Sequence, residues 1–491
     1  MIFNKNNKKL ILLGSLFFFT RAVLIFLGVQ YDVSPLGFYS QIIDPQLLKT
    51  RLFESLYYLH FQPPLFNLFI GVVLKLFPEQ YPLVFNACYF FLGLLFVFTI
   101  FTLMEKMKVN VKVNFFLTIL FMINPAVILY ENLLLYTYPV AVLLCLTALI
   151  FYRYLETEKG KDALLFFLLL ATLILLRGFF NIFWFLILLF WLMLLKQHKI
   201  KQILSAAIIP LILIVTLNIK NYCIVGNLSP NSTFLGIQLA NITIPFLTDE
   251  ELREAIKNKG VTRTTFMECD KPRNISPRLS KYFSIKKTGI PVLDRPNLAG
   301  NNDIPNLNSL FALKVSQIYL RESLYVLKHY PQAYFRGLRR AIFIYLLPSP
   351  TDVKLRNRRV VFAYEKFYNF MFYEGYANRD WFHHRTYLGL TCLILVTIGY
   401  SALHIFALKI ICTAKKNSGN SLWLNSFIFI YFNILYVSII AIALGPGATN
   451  RYRFAIDAFY LILSGMLLTN FYPHIRLFFK AIVFRQMISV E

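Results

Sequence analysis

The chain has 491 residues, 57% of them hydrophobic, a mean hydropathy of +0.58 and a formal net charge of +26. Only 15% of the residues are charged, against the roughly 25% usual in soluble domains, which excludes an ordinary soluble globular protein. The expected fold class is therefore an all-α multispanning membrane protein. In so apolar a chain, the basic excess favours contact with anionic or phosphorylated lipid, and not with nucleic acid.

Apolar runs along the chain predict about ten transmembrane helices, since about 20 apolar residues span a bilayer. Short basic links between the runs should face the cytoplasm, which places both termini inside. A further apolar stretch, 63–77, begins at a double proline. A crossing there would move the basic links between 105 and 202 outside, so we expect 63–77 to lie at the outer surface. The runs lie at 10–29, 82–104, 114–130, 133–152, 163–176, 179–195, 203–219, 386–411, 423–444 and 454–472.

The polar segments between these runs predict the domain organisation. The loop 30–81 should be extracytoplasmic. Within the middle of the chain, 249–259 predicts a short polar helix capped by Thr248. The stretch 333–347 carries arginines on one side, followed by apolar residues, which is typical of a helix on a membrane surface. The predicted units are an N-terminal transmembrane module, 1–219, an extracytoplasmic lobe, 220–385, and a C-terminal transmembrane module, 386–491.

Acidic side chains in the outer loops are candidates for proton transfer. Asp44 follows two isoleucines and precedes a proline that leads into a predicted helix, 46–60. A carboxylate held between a membrane span and a surface helix can be partly desolvated and act as a base. Asp32 and Glu131 also lie in predicted outer segments, Asp32 as the second candidate base and Glu131 as a candidate for substrate contact. The competing interpretation is that such acids are hydrated residues at the level of the lipid head groups.

Arginines at membrane depth or on the outer side form a second group. Arg21 lies within the first span, where a charge costs about 2.5 kcal/mol or more, so it should face protein or water. A structural partner acid would explain it. Arg177 lies at a predicted outer turn. Arg451 and Arg453 open the last span on the side where basic residues are disfavoured, which indicates either phosphate binding through charge-assisted bonds or head-group anchors. Asp457 lies one turn beyond Arg453 and is a potential partner for it.

Two further polar residues, His60 and Gln62, precede the double proline and are candidates for lining a substrate groove. A lone histidine is more often structural. The sequence contains no HExxH, no Cys/His cluster, no Walker loop and no GxGxxG, so neither a nucleotide-binding domain nor a metal cage is predicted. No cofactor is implied, and a requirement for a divalent metal stays open. An enzyme active on the outer face would need an activated substrate there, and lipid-linked sugars meet that condition.

Four segments in order resemble the C superfamily of membrane glycosyltransferases, which use polyprenyl-phosphate sugars. Protein O-mannosyltransferases and lipid A aminoarabinose transferases belong to that group. The similarity in order covers most of the chain. The segments are QPPLF at 62–66, IKNYCIVGNLSPNSTFLGIQL at 219–239, LRESLYVLKHYPQAYFRGLRRAIF at 320–343 and NRYRFAID at 450–457.

The resemblance implies an inverting transfer of a sugar from a polyprenyl-phosphate donor to a hydroxyl of a lipid, glycan or protein. An Asp of the first outer loop would act as base, with Asp44 matched by local context and Asp32 by spacing. Arg451 and Arg453 match the cationic motif that holds the leaving phosphate, and His60 and Gln62 would line the groove. The membrane would be a bacterial plasma membrane or one of ER type. A transporter or flippase of a lipid-linked or anionic substrate is the alternative.

Overall fold

The computed structural model describes residues 5–227, 230–269, 284–298, 301–349, 356–373, 387–416, 422–445 and 449–488. Helices dominate these residues and confirm the all-α class. The helices of the first half of the chain are α1 (Lys5–Phe26), α2 (Pro35–Phe38), α3 (Pro45–Thr50), α4 (Leu52–Tyr57), α5 (Leu65–Leu76), α6 (Tyr81–Lys106), α7 (Val111–Met122), α8 (Pro125–Glu131), α9 (Thr137–Thr157), α10 (Gly160–Leu176), α11 (Ile182–Leu195) and α12 (Ile200–Val225).

The second half of the chain adds ten helices and one hairpin among the described residues. Its two short strands pair in antiparallel fashion. Short 3₁₀ turns lie at Gln197–Lys199, Ile244–Phe246 and Arg356–Arg358. The elements are α13 (Pro230–Thr243), α14 (Asp249–Lys257), α15 (Arg263–Cys269), α16 (Pro291–Asp294), β1 (Asn297–Leu298), β2 (Asn301–Pro305), α17 (Leu310–His329), α18 (Pro331–Leu346), α19 (Phe362–Tyr373), α20 (Tyr387–Lys416), α21 (Leu422–Leu444) and α22 (Thr449–Ile488).

Seven helices of the described chain are long and apolar enough to cross a membrane, which identifies an integral multi-pass membrane protein. An eighth span results if α7 and α8, bent by 53° at Ile123–Asn124, cross together. Two predicted spans form shorter helices, α10 with 17 residues and α11 with 14. The count of ten spans stays a prediction. So does the surface position of 63–77, which forms the 12-residue α5.

The predicted single helix over 46–60 is wrong. Two short helices occupy this stretch, and they part at Arg51, whose φ of −132° and ψ of 47° leave the helical region. The break turns Leu52 toward α5, where its side chain covers the bare Cα of Gly71: a Cβ there would lie 2.3 Å from Leu52 Cδ1. Leu52 is buried in this groove, and burial of its apolar side chain is favourable.

Helix starts in the structure follow local sequence signals. Asp44 caps α3 by accepting a hydrogen bond from the Gln46 backbone N–H at 2.9 Å, and Pro45 occupies the first helical position, where its fixed φ favours the helix. The predicted Thr248 cap is confirmed, and Glu251 completes a reciprocal capping box on α14. These caps orient the loops that precede them.

The largest hydrophobic core runs through the long helices α6, α9, α10, α21 and α22. The lobe has a second core, to which α17 contributes the most buried residues and α13, α14 and α18 contribute one each. Gly236 lets α13 approach α17 closely, because a Cβ there would lie 1.8 Å from the Ser316 carbonyl oxygen. Leu239, Ile242 and Ala341 join the lobe to the end of α21. The lobe is thus docked on the membrane helices.

Candidate functional site

The segment that follows α1 is fixed against the start of α9 by backbone hydrogen bonds. Asp32 N–H donates to the Asn132 carbonyl at 2.9 Å, and Leu134 N–H donates to the Asp32 carbonyl at 3.0 Å. This bridge holds the chain that continues through α2 to Tyr39 and Gln41. The side chains of Tyr39 and Gln41 are thereby brought next to Tyr136, which directly precedes α9.

Arg177 lies at the turn between α10 and α11 and is buried. Its Nη1 donates to Gln41 Oε1 at 3.1 Å and also to the Tyr136 hydroxyl. The guanidinium lies over the Tyr136 ring, 4.4 Å from its centroid, and 4.9 Å from that of Tyr452. Neutral hydroxyl, amide and π-electron groups therefore surround this cation.

Arg451, in the first turn of α22, reaches the same place from the other side. Its Nη1 donates to the Tyr39 hydroxyl at 2.7 Å. That hydroxyl is 2.9 Å from the Tyr136 hydroxyl and 3.1 Å from Gln41 Oε1. The residues Tyr39, Gln41, Tyr136, Arg177, Arg451 and Tyr452 are called the arginine cluster below.

The cluster carries two positive charges without a described counter-charge. Neither Arg177 nor Arg451 forms an ion pair with any carboxylate that the structure describes. Arg451 is 8% exposed, and its Nε–H has no acceptor in the described part of the chain. Burying an unpaired cation costs several kcal/mol in real proteins. A bound anion would offset that cost, so the arrangement is suited to an anionic ligand.

A cavity of about 210 Å³ opens beside the cluster. Three of its polar side chains belong to the cluster: Gln41, Arg177 and Tyr452. Gln62, Asn181 and Gln238 add further amides. The apolar part of the described lining consists of Phe61, Gly178, Phe179, Phe234, Leu235, Val437, Ile440, Ala441 and Leu444. A ligand here would contact both an anion-binding surface and an apolar wall formed by α13 and α21.

His60 is fully buried and lies just outside the described lining. Its Nε2 is 2.9 Å from the Asn308 carbonyl oxygen, which can only accept, so Nε2 carries the proton of the neutral ring. Burial, together with the nearby Lys220, lowers the pKa of His60 to about 4. Asn308 Oδ1 also accepts from the His60 and Phe61 backbone N–H groups. His60 and Asn308 together join the first loop to the lobe.

Neither candidate base is among the described cavity-lining residues. Asp44 is buried, and besides capping α3 its Oδ2 lies 3.2 Å from Nη1 of Arg295, a lobe residue. Asp32 is buried as well, and its Oδ1 accepts from the Ser34 N–H at 2.9 Å. Both acids belong to the loop that carries Tyr39 and Gln41.

Glu131 and Arg21 form a buried ion pair in the helical core. Arg21 Nε is 2.9 Å from Glu131 Oε1, Nη2 is 2.5 Å from Oε2, and the Tyr138 hydroxyl donates to the same carboxylate at 3.1 Å. Of the two surroundings predicted for Arg21, protein or water, the structure shows protein, and a partner acid explains its burial. Glu131, a candidate for substrate contact, is held in this pair and does not line the described cavity.

Arg453 also lies away from the described lining. It is fully buried, its Nε is 3.0 Å from Asp457 Oδ1, and its Nη2 donates to Ser349 Oγ at 3.2 Å. Of the alternatives given for Arg453, the structure shows the pairing with Asp457. Of the residues singled out from sequence, the structure brings together Gln62, Arg177 and Arg451.

Sequence reasoning missed most of the polar partners in this region. Tyr39 and Tyr136 are two of 29 tyrosines in the chain, and nothing in their spacing distinguishes them. Gln41 and Gln238 stand far apart in sequence. The one available signal was that Arg177 and Arg451 both lie at predicted outer ends of apolar runs.

No group of three or more His, Cys, Asp or Glu side chains in the described chain could hold a metal ion. Comparison of the chain with protein-family models, with curated proteins and with solved structures finds no match.

Proposed function

We propose that the protein is an inverting glycosyltransferase that moves a sugar from a polyprenyl-phosphate donor to a hydroxyl acceptor on the extracytoplasmic face. The observation that carries the proposal is the pair of buried arginines, Arg177 and Arg451, which have no described carboxylate partner and lie beside a cavity with an apolar wall. A lipid phosphate combines the negative charge and the apolar chain that these two surfaces would bind. The order of sequence motifs supports the same class.

The arginine cluster would act on the leaving group. In the transfer, the acceptor oxygen forms a bond to the anomeric carbon while the bond from that carbon to the phosphate oxygen breaks. The phosphate thereby gains negative charge. Donors held in place before the reaction stabilise such charge at low reorganisation cost. Arg177 is fixed by Gln41 and Tyr136, and Arg451 by Tyr39, so both would be preorganised.

A carboxylate of the first loop would take the proton of the acceptor hydroxyl. Asp44 is the first candidate, although both its oxygens already have partners, Gln46 N–H and Arg295. Asp32 is the second, and one of its oxygens accepts from Ser34. General-base catalysis is worth roughly 10²–10⁴-fold in rate. Loss of the true base should therefore reduce the rate of sugar transfer by at least about 10²-fold.

The test measures transfer of labelled sugar from a polyprenyl-phosphate donor in membranes that contain Asp44→Asn or Asp32→Asn. Glu54→Gln is the matched control, because Glu54 is an acid of the same loop in an exposed pair with Arg51. One Asp variant should lose activity while the control retains it. Wild-type transfer by both Asp variants would remove the base assignment. Failure of the wild-type protein to bind any lipid-linked sugar would remove the function.

The alternative, a transporter or flippase, would use the same charge and apolar surface to move an anionic lipid. The measurement of transfer product distinguishes a transporter from a glycosyltransferase. A transporter would move labelled lipid-linked sugar between the leaflets of proteoliposomes and form no transfer product. Transfer that depends on Asp44 or Asp32 would exclude a purely transporting role.

A further inference from the structure

Two glutamines of the cavity, Gln62 and Gln238, bring amide groups that are not committed elsewhere. Neither side chain makes a hydrogen bond to any residue in the described ranges, whereas the Gln41 oxygen already accepts from Tyr39, Tyr136 and Arg177. Gln62 is only 8% exposed. Each carboxamide offers both a donor and an acceptor, so the two glutamines together offer a ligand two such pairs.

The described lining is equally defined by its charges. Among the described lining residues, Arg177 is the single charged side chain. The guanidinium of Arg451 lies 5.3 Å from the ring centroid of Tyr452, which is itself a lining residue. No carboxylate stands among those lining residues. The local charge of the cavity is therefore positive. A bound phosphodiester carries one negative charge against the two arginines, so one positive charge remains to repel a cationic group on the sugar.

We propose, on the basis of the glycosyl-transfer function above, that the cavity selects an uncharged sugar and rejects a cationic amino sugar, with Gln62 and Gln238 as the residues that contact its hydroxyls. A sugar hydroxyl both donates and accepts, which matches a carboxamide. The rings of Phe61, Phe179 and Phe234 supply apolar surface for the C–H groups of the sugar.

The exclusion of an amino sugar follows from Coulomb repulsion. Two like charges several ångströms apart repel appreciably at the effective dielectric of a partly buried site. An ammonium group in the cavity would face Arg177 with no described carboxylate to neutralise it. An ammonium group also accepts no hydrogen bond, so it would leave an amide N–H of Gln62 or Gln238 unpaired where a hydroxyl would accept from it.

The experiment uses the purified full-length protein in lipid nanodiscs and three probes with the same apolar chain: decyl phosphate, a decyl phosphohexose and its 2-amino-2-deoxy analogue. Binding is measured at pH 6.5, where the sugar amine is protonated. We expect the phosphohexose to bind at least tenfold more tightly than the amino analogue. Equal affinity of the two sugar probes would overturn the inference.

Substitutions of Gln238 separate recognition from a structural role. Gln238→Glu supplies the missing carboxylate, so it should improve binding of the amino analogue at least tenfold and weaken binding of the phosphohexose. Gln238→Leu should weaken the phosphohexose without improving the amino analogue. Gln197→Glu, which places the same charge on an exposed turn outside the described lining, should change neither. A Gln238→Glu variant with unchanged preference would contradict the assignment.

Decyl phosphate distinguishes the failure of this inference from that of the proposed function. If decyl phosphate binds in an Arg177- and Arg451-dependent manner and the two sugar probes are not discriminated, only the sugar preference is wrong. If decyl phosphate does not bind, the anion-binding role of the arginine cluster is wrong, and the glycosyl-transfer proposal loses its support together with the sugar preference.

Discussion

His60 and the Arg21–Glu131 pair illustrate two outcomes for ionisable groups taken out of water. His60 is buried without a counter-charge among the residues that the structure describes, and burial keeps its ring neutral. Arg21 and Glu131 are 5% and 4% exposed and stay together as a bidentate pair. The sequence indicated that Arg21 needed a partner. It could not identify Glu131, because the two residues are 110 positions apart and meet only when α1 packs beside α8.

The pH dependence of stability should report the state of His60. An unfolded histidine protonates near pH 6.5, whereas His60 in the folded protein does so near pH 4. The unfolded chain therefore binds more protons below pH 6.5, and stability should fall as pH drops from 6.5 toward 4, by about 3 kcal/mol in all. Thermal unfolding in detergent between pH 7 and pH 4 measures this loss.

The control for that experiment compares two histidine substitutions. His60→Gln should flatten the acid side of the stability curve, because glutamine does not titrate there. His329→Gln, at an exposed histidine of α17, should leave the curve unchanged. An unaltered acid loss in His60→Gln would mean that other groups cause it.

Breaking the Arg21–Glu131 pair should destabilise the protein strongly. Glu131→Gln leaves a buried arginine without its counter-charge, and such single removals cost about 3–5 kcal/mol. The double variant Arg21→Met/Glu131→Leu removes both charges and should recover most of the loss. The midpoint of thermal unfolding, followed by tryptophan fluorescence, checks both. A double variant as unstable as Glu131→Gln would show that the pair has a role beyond mutual neutralisation.

At the scale of elements, helix existence was easier to predict than helix ends. The long apolar runs became α1, α6, α9 and α21, because apolar length alone selects a spanning helix. The prediction of one continuous helix over 46–60 failed at the point where Leu52 packs over Gly71, which is a contact between different helices. Local propensity does not contain such a contact.

The close approach of α13 and α17 should tolerate no side chain at Gly236. An added Cβ would lie 1.8 Å from the Ser316 carbonyl oxygen, so Gly236→Ala must push the two helices apart. Overpacking of this kind costs about 1–3 kcal/mol or more. Gly399→Ala in α20, where nothing lies within 4 Å of the added Cβ, is the matched control and should be neutral or stabilising. Equal thermal unfolding midpoints for the two variants would contradict the packing argument.

At the scale of the whole molecule, the distribution of basic links predicts which side of the membrane each segment occupies. In a cysteine-free background, Thr288→Cys in the lobe should react with a membrane-impermeant maleimide in intact cells. Lys199→Cys, in the basic link before α12, should react only after permeabilisation, since such links are retained in the cytoplasm. Labelling of both positions from the same side would refute the predicted topology, and with it the outer location of the arginine cluster.

The amino-acid sequence by itself determined that this chain is a helical multi-pass membrane protein, because apolar length and charge composition are additive along the chain. It also pointed to Arg177 and Arg451 through their position at the ends of apolar runs. Only the tertiary structure decided that these two arginines share one cluster. It also decided that Arg453 forms an ion pair with Asp457, and Glu131 one with Arg21. A charge acquires its role from the partner it meets in space, and that partner is set by helix packing.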